Sequence, residues 1–165
     1  MIKTSITNPS AEVISKHDFA NVLLNNASNQ KSLHAAISFA PGEVICKFKA
    51  DTRQSGATYL TVQTGTDQHI TLHPSFLQYL NHSCAPNCWI DGRTLRALRR
   101  IEADEQLTFD YNTTEWSMDA PFECACGACS GAAIRGYAHL TSAERAQREP
   151  HVAAHLRARA VHGNA

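Results

Sequence analysis

The side chains of this chain that could do chemistry fall into three segments between residues 81 and 129: Asn81-His82-Ser83-Cys84-Ala85-Pro86-Asn87-Cys88, Leu107-Thr108-Phe109-Asp110-Tyr111-Asn112 and Cys124-Ala125-Cys126-Gly127-Ala128-Cys129. Together, in one order, they are harder to reach by chance than any one alone. Of six cysteines, three crowd into the last segment. Such crowding suits a metal, since zinc takes four tetrahedral ligands at ~2.3 Å and closely spaced cysteines can converge on it. Cys124, Cys126 and Cys129 supply all but one of these ligands, and free thiols are the alternative reading. A disulfide framework fits poorly, because such frameworks belong to small exported chains and the N-terminus has no basic stretch followed by an apolar one.

The other residues point away from hydrolysis. No His-Glu-x-x-His or comparable open metal site is present, and His17, His34, His69 and His73 show no paired ligand spacing. With an ordinary pKa of about 10, the Tyr111 phenol is a poor base at neutral pH and suits orientation and electrostatic work. Read alone, Asn81-His82 is a turn. Asp110 either holds the local backbone or is solvated.

At 165 residues and 43% hydrophobic content, the chain fits one compact domain with its own core. Lys+Arg and Asp+Glu are equal at 15 each, leaving no global positive field to neutralise phosphates, so direct nucleic-acid binding is not expected. The apolar runs, Asn21 to Leu24 among them, are too short to span a bilayer. A soluble, intracellular protein is expected.

Several elements must position these segments. Leu33 to Phe48 reads as a hairpin punctuated by Pro41-Gly42, with Val44, Cys46 and Phe48 facing a core. Tyr59 to Val62 and His69 to Leu72 read as a second hairpin across Thr64 to Asp67. His73-Pro74-Ser75 starts a short helical turn before Asn81. Cys88 to Ile90 and Thr94 to Leu98, joined at Asp91-Gly92, give the strongest hairpin signal, and Gln106 to Phe109 is one more strand. Thr141 and Glu144 have capping-box spacing, and Pro150 should interrupt the helix they begin. A mostly β domain with minor helices is predicted.

The three segments together resemble the SET-domain family of S-adenosylmethionine-dependent lysine methyltransferases, with a cysteine-rich post-SET segment. The resemblance runs from about Leu33 to about Leu140 and is most specific in its C-terminal half. It implies several small curved β-sheets with a pseudoknot, short helices and a C-terminal helix. It divides the chain into a SET-like catalytic domain (1–120), a post-SET zinc segment (121–131) and a C-terminal helical extension (132–165). Cys84 becomes the fourth ligand of one structural zinc, beside Cys124, Cys126 and Cys129. Tyr111 and Tyr59 become catalytic, with Tyr59 lining a lysine channel. Ser32, Leu33, His34, Asn81, His82, Tyr111, Trp116 and Phe122 are implied to hold S-adenosylmethionine, Trp116 or Phe122 covering its adenine.

The implied partner is a lysine-bearing protein or peptide of histone-like or ribosomal type, with no direct nucleic acid and no membrane. The implied location is cytoplasmic, or nuclear in a eukaryote. A small amine or metabolite as acceptor, and an inactive scaffold, are the competing readings. Relatives carry Gly-x-Gly where this chain has Gln30-Lys31-Ser32, so crowding or an unfavourable backbone is expected there. Only Gly127-Ala128 separates the last two cysteines, a shorter loop than in relatives, with Gly127 relieving the turn.

Overall fold

The computed structural model describes residues 10–162. The strands are β1 (Ala11–Lys16), β2 (Ala20–Asn25), β3 (Gln30–Ala35), β4 (Val44–Lys47), β5 (Lys49–Gln54), β6 (Val62–Gly65) and β7 (Gln68–His73) in the first half. They continue with β8 (Asn81–His82), β9 (Cys88–Asp91), β10 (Thr94–Ala97), β11 (Thr108–Phe109), β12 (Phe122–Glu123) and β13 (Ala133–Ile134), before α1 (Ser142–Arg148) and α2 (Ala154–His162). Small sheets form in the orders β1-β2-β3, β4-β10-β9 and β5-β7-β6, with the pairs β11-β8 and β12-β13. The chain is therefore mostly β, in several small sheets with short helices.

Alternation builds the core. Ala20 and Val22 of β2, Leu33 and Ala35 of β3, Ile90 of β9 and Leu95 of β10 point inward with Ile70, Leu77, Ile101 and Leu107 in one cluster. Asp91 pairs with Thr94 across Gly92-Arg93, and Gly92 takes φ +60° at the first loop position, where a type II′ hairpin needs a glycine. The predicted hairpin before it, β6 with β7, also forms, although its first strand begins at Val62 and Tyr59-Leu60 lie in a turn. Thr141 caps α1 in a capping box with Glu144, and Pro150 sits in the short turn that separates α1 from α2.

The expected Leu33–Phe48 hairpin does not form. Its two halves join different sheets: β3 pairs with β2, and β4 pairs with β10. Of the three residues expected to face the core, Cys46 packs against it and Phe48 lies within it, but Val44 does not. Leu95 opposes Cys46 while Arg96 opposes Val44, leaving Ile45 as a bulged residue. The bulge turns Ile45 inward at 6% exposure and leaves Val44 at 37%.

A smaller cluster of Tyr137, Val152 and Leu156, with Trp116 and Leu140 against it, fastens the C-terminal helices to the sheets. Its entry point is Gly136, at φ +104°, whose backbone N–H is received by Asn112 Oδ1 at 3.0 Å. A Cβ there would meet Ser117 Cα and the Trp116 carbonyl oxygen, each at 2.7 Å. Gly136→Ala is therefore expected to lower stability by roughly 2 kcal/mol or more, read by urea denaturation.

Candidate active site

The site grows from the parallel pairing of β8 and β11, in which Asn81 opposes Thr108 and His82 opposes Phe109. This register sets the Asn-His motif against the strand that leads into Tyr111. Asn87 locks the arrangement from below: its amide nitrogen donates to Gln106 O at 2.7 Å, and its amide oxygen receives Thr108 N–H at 2.9 Å. At 2% exposure, these buried bonds replace the water that both groups lose.

Asp110, 6% exposed, anchors the turn that carries Tyr111. Its carboxyl receives the backbone and side-chain N–H groups of Asn112, both at 3.0 Å, and Arg148 Nε from α1 at 2.6 Å. His82 Nδ1 lies 3.7 Å from the same carboxyl and receives the Tyr111 backbone N–H at 3.2 Å. Burial, together with the nearby Arg148 charge, holds the His82 pKa below its ordinary value against the opposing pull of Asp110. A neutral His82 is what the Tyr111 N–H needs, because only an unprotonated nitrogen can accept.

The Tyr111 hydroxyl donates to Leu80 O at 2.8 Å. Burial, with the Glu115 charge adding to it, pushes the phenol up to about 12, so it is neutral throughout the ordinary range. The ring meets Phe109 at 4.8 Å, and Phe122 at 6.1 Å with the planes 75° apart. These three rings, with Leu80, Glu115 and Tyr59, help to line a cavity of about 160 Å³. Tyr59 stands at its mouth, 86% exposed.

The other predicted site residues are distributed around this centre. Asn81 Nδ2 donates to Lys31 O at 3.0 Å, joining β8 to β3. Ser32 Oγ is 3.0 Å from His34 Nε2, and His34 Nδ1 is 2.8 Å from Asp104 O, so both side chains are engaged with protein. Leu33 is fully buried in the core, and its carbonyl receives Leu107 N–H at 2.8 Å. Trp116 is not among the residues lining the cavity; its ring meets Tyr137 at 6.1 Å and the Arg159 guanidinium at 4.5 Å. Phe122 reaches both His82, at 5.8 Å, and Tyr111.

No unusual backbone is needed where the Gly-x-Gly glycines are absent. Gln30 and Ser32 lie in regular antiparallel register with Asn25 and Leu23, and neither has positive φ. The side chains alone distinguish this stretch from Gly-x-Gly, with Gln30 exposed and Ser32 turned to His34.

The ligand atoms of Cys84, Cys124, Cys126 and Cys129 all lie within 4.8 Å of one another. The sulfurs of Cys126 and Cys129 are 3.9 Å apart, against about 3.8 Å between sulfurs of a regular tetrahedron with ~2.3 Å bonds. Gly127 takes φ +77°, so the short loop closes through a conformation that glycine adopts freely. Backbone N–H groups of Cys84 and Cys126 point at sulfur, to Cys126 Sγ at 3.5 Å and Cys124 Sγ at 3.4 Å. The Cys84 N–H, followed by that of Ala128 and the neighbouring thiols, draws the Cys126 pKa down to about 6. The donor set fits a soft divalent ion. Cys46 and Cys88 lie apart, their thiols raised by burial to about 11 and 12.

Two residues of this centre carry no signal in the sequence. Arg148 reaches Asp110 from 38 positions away. Glu115 is 6% exposed; its Oε1 receives Gln63 N–H at 2.8 Å, while Oε2 is 3.9 Å from His69 Nε2. Burial raises its carboxyl to about 7.

Fold and site together define a SET-type domain, and comparison with known proteins agrees: the SET domain model matches residues 11–112. The chain belongs to the SET-domain family. It is 35% identical over 100 residues to methyltransferase flvH of Aspergillus flavus, covering 58% of this chain and 56% of that protein. It is 31% identical over 133 residues to an H3 lysine-4 specific histone-lysine N-methyltransferase of Emericella nidulans, covering 64% of this chain and 11% of the relative. The chain thus spans about half the length of the first relative and about a tenth of the second. KRYPTONITE in complex with mCHH DNA, an H3(1-15) peptide and SAH shares the fold, with a TM-score of 0.53 at 19% identity over 73% of this chain and 30% of that one. Among the described residues, no helix is long and apolar enough to cross a membrane.

The Glu115 shift has a consequence for stability. A carboxyl raised in the fold contributes fully below the unfolded value of about 4.5 and loses that contribution as pH rises through about 7. Glu115→Gln, which stays neutral, should be more stable than the parent at pH 8, by up to ~3 kcal/mol, with the difference shrinking toward pH 5. Urea denaturation at both pH values reads it.

Proposed function

We propose that this chain transfers a methyl group from S-adenosylmethionine to the ε-amine of a lysine in a protein or peptide. The observation that carries the reading is the Tyr111 hydroxyl, fixed by Leu80 O at the wall of an aromatic cavity and directly after the strand paired to Asn81-His82. The residues present fit the donor. Asn81 Oδ1 has no hydrogen-bond partner among the described residues and suits an ammonium, and Phe122, 38% exposed, offers a face to a purine. Asn81, His82, Tyr111 and Phe122 are the proposed donor-holding residues, with Ser32 and His34 contributing backbone.

When bound, the donor supplies a methyl on a positively charged sulfur, whose charge disfavours the ammonium form of a neighbouring amine, against the roughly 4 to 5 kcal/mol that neutralising a lysine of pKa ≈ 10.4 costs at neutral pH. Tyr111 stays neutral, and because its proton is donated to Leu80 O, its oxygen lone pairs remain to receive polarised C–H groups. The aromatic walls exclude water and align the amine. Tyr59, at the mouth, attracts a cation to its ring.

We assign one structural zinc to Cys84, Cys124, Cys126 and Cys129. It would tie the segment carrying Phe122 to the end of the Asn-His motif, so that the Phe122 wall depends on the metal. The proposed units are a SET-like domain through residue 120, a zinc segment over 121–131 and a helical extension over 132–165.

A small amine as acceptor is the second reading. It is favoured by flvH, more than half of whose length this chain covers, since its name specifies a methyltransferase without a protein substrate. The scaffold reading rests on the absent glycines, and the ordinary backbone at Gln30 and Ser32 weighs against it.

Incubation with radiolabelled donor and lysine-bearing proteins or extracts, followed by mass spectrometry, tests the reading and separates its two acceptors. Tyr111→Phe should lower the rate by about 10²-fold while leaving the affinity for S-adenosylhomocysteine largely unchanged. Metal analysis should find one zinc per chain, and Cys126→Ser should bring it well below one. Absence of donor binding in zinc-loaded protein would overturn the enzymatic reading.

A further inference from the structure

The cavity beside Tyr111 holds an ionisable group that methyl transfer leaves unused. Its wall is largely apolar, with Leu77, Leu80 and Phe109 among the lining residues. Two acids, Glu115 and the exposed Asp119, also line it, and among the described residues no lysine, arginine or histidine does. A concave apolar surface carrying negative groups and no positive one favours a cation over a neutral or anionic ligand.

Glu115 is the inner of these acids. Its Oε1 is occupied by Gln63 N–H at 2.8 Å and the Thr114 hydroxyl at 3.3 Å. Its Oε2 receives no hydrogen bond among the described residues; the nearest basic atom is His69 Nε2, at 3.9 Å. The contacts that serve the fold end on one oxygen, and an amide carbonyl would serve them equally well. Apart from its 3.9 Å approach to His69, the second oxygen is surplus to those hydrogen bonds. Glu115 and Tyr111 line the same cavity, so the carboxyl is beside the position where the acceptor would sit.

We propose that Glu115 determines acceptor specificity, with Oε2 receiving an ammonium head group and so selecting primary or partly methylated amines over neutral molecules of the same shape. The inference rests on the methyl-transfer reading for the reason an amine enters the cavity. The titratable groups around Glu115 are Tyr111, His69 of β7, His155 of α2, whose Nε2 lies 2.8 Å from Thr114 O, and Asp119. Because burial holds the carboxyl near 7, an arriving cation displaces its proton when the pH lies below that value. A neutral ligand displaces none.

The test uses the full chain, zinc-loaded and saturated with S-adenosylhomocysteine, titrated by NMR with n-butylammonium and with 1-butanol, its neutral counterpart. The expected result is a preference of about tenfold or more for the ammonium, increasing from pH 6 to pH 8. In Glu115→Gln, which keeps an acceptor for Gln63 N–H, the preference should fall to near unity and lose its pH dependence. Glu115→Asp should retain part of it, guarding against a misfolded variant. Equal binding of the two probes, no saturable binding of either, or a preference that survives in Glu115→Gln would overturn the proposal, the last by assigning it to Asp119 or Tyr59. Failure of S-adenosylhomocysteine to bind would instead sink the methyl-transfer reading, which the same titration series measures separately.

Discussion

The carboxyl group of Asp110 is the constraint on which the site depends. It sits out of water at the end of a strand two residues long, and buried charge is tolerated only when its partners are complete. Those partners come from two parts of the chain, Asn112 in the following turn and Arg148 in α1, with the neutral His82 of β8 packed beside them. Asn112 and His82 are each held by something else. Asn112 uses its remaining oxygen on Gly136 N–H, and His82 receives the Tyr111 backbone. The position of the phenol is therefore set by a network that reaches into the C-terminal helices, beyond the residues that the SET domain model matches.

Much of this was legible where local chemistry decides. Asp91-Gly92 announced its hairpin because a tight reversal needs φ that glycine supplies, and Thr141 with Glu144 announced α1 because an N-terminal turn needs its free N–H groups satisfied. The mostly β character followed from alternation. Strand partners did not, since alternation reports which face is buried and says nothing of what lies alongside. The stretch around Pro41-Gly42 therefore read as one hairpin, although β3 and β4 find their partners in separate sheets. The bulge that turns Ile45 inward and Val44 outward escaped for a similar reason, because an extra residue in one strand is defined only against its neighbour.

The site divides in the same way. The cysteines were visible as a crowd of three, but the fourth thiol, Cys84, entered only through the resemblance to SET domains, because 40 positions separate it from Cys124. Leu33 sits on the inner face of β3, so its side chain belongs to the core, and Trp116 was drawn toward α2 by Tyr137 and Arg159. Glu115 and Arg148 escaped notice because a charged residue gives no local sign that it will be buried. That outcome is set by partners far along the chain, Gln63 in one case and Asp110 in the other.

The parallel alignment of β8 with β11 bears on how the molecule is assembled. Strands running in the same direction cannot be joined by a tight turn, so the chain must complete the β9-β10 hairpin and return before Asn81 can meet Thr108. Contacts so distant in sequence form only after a large loss of chain freedom, which places the candidate site among the late products of folding, after the hairpins that surround it. A nascent chain would thus possess sheets before it possesses the cavity beside Tyr111.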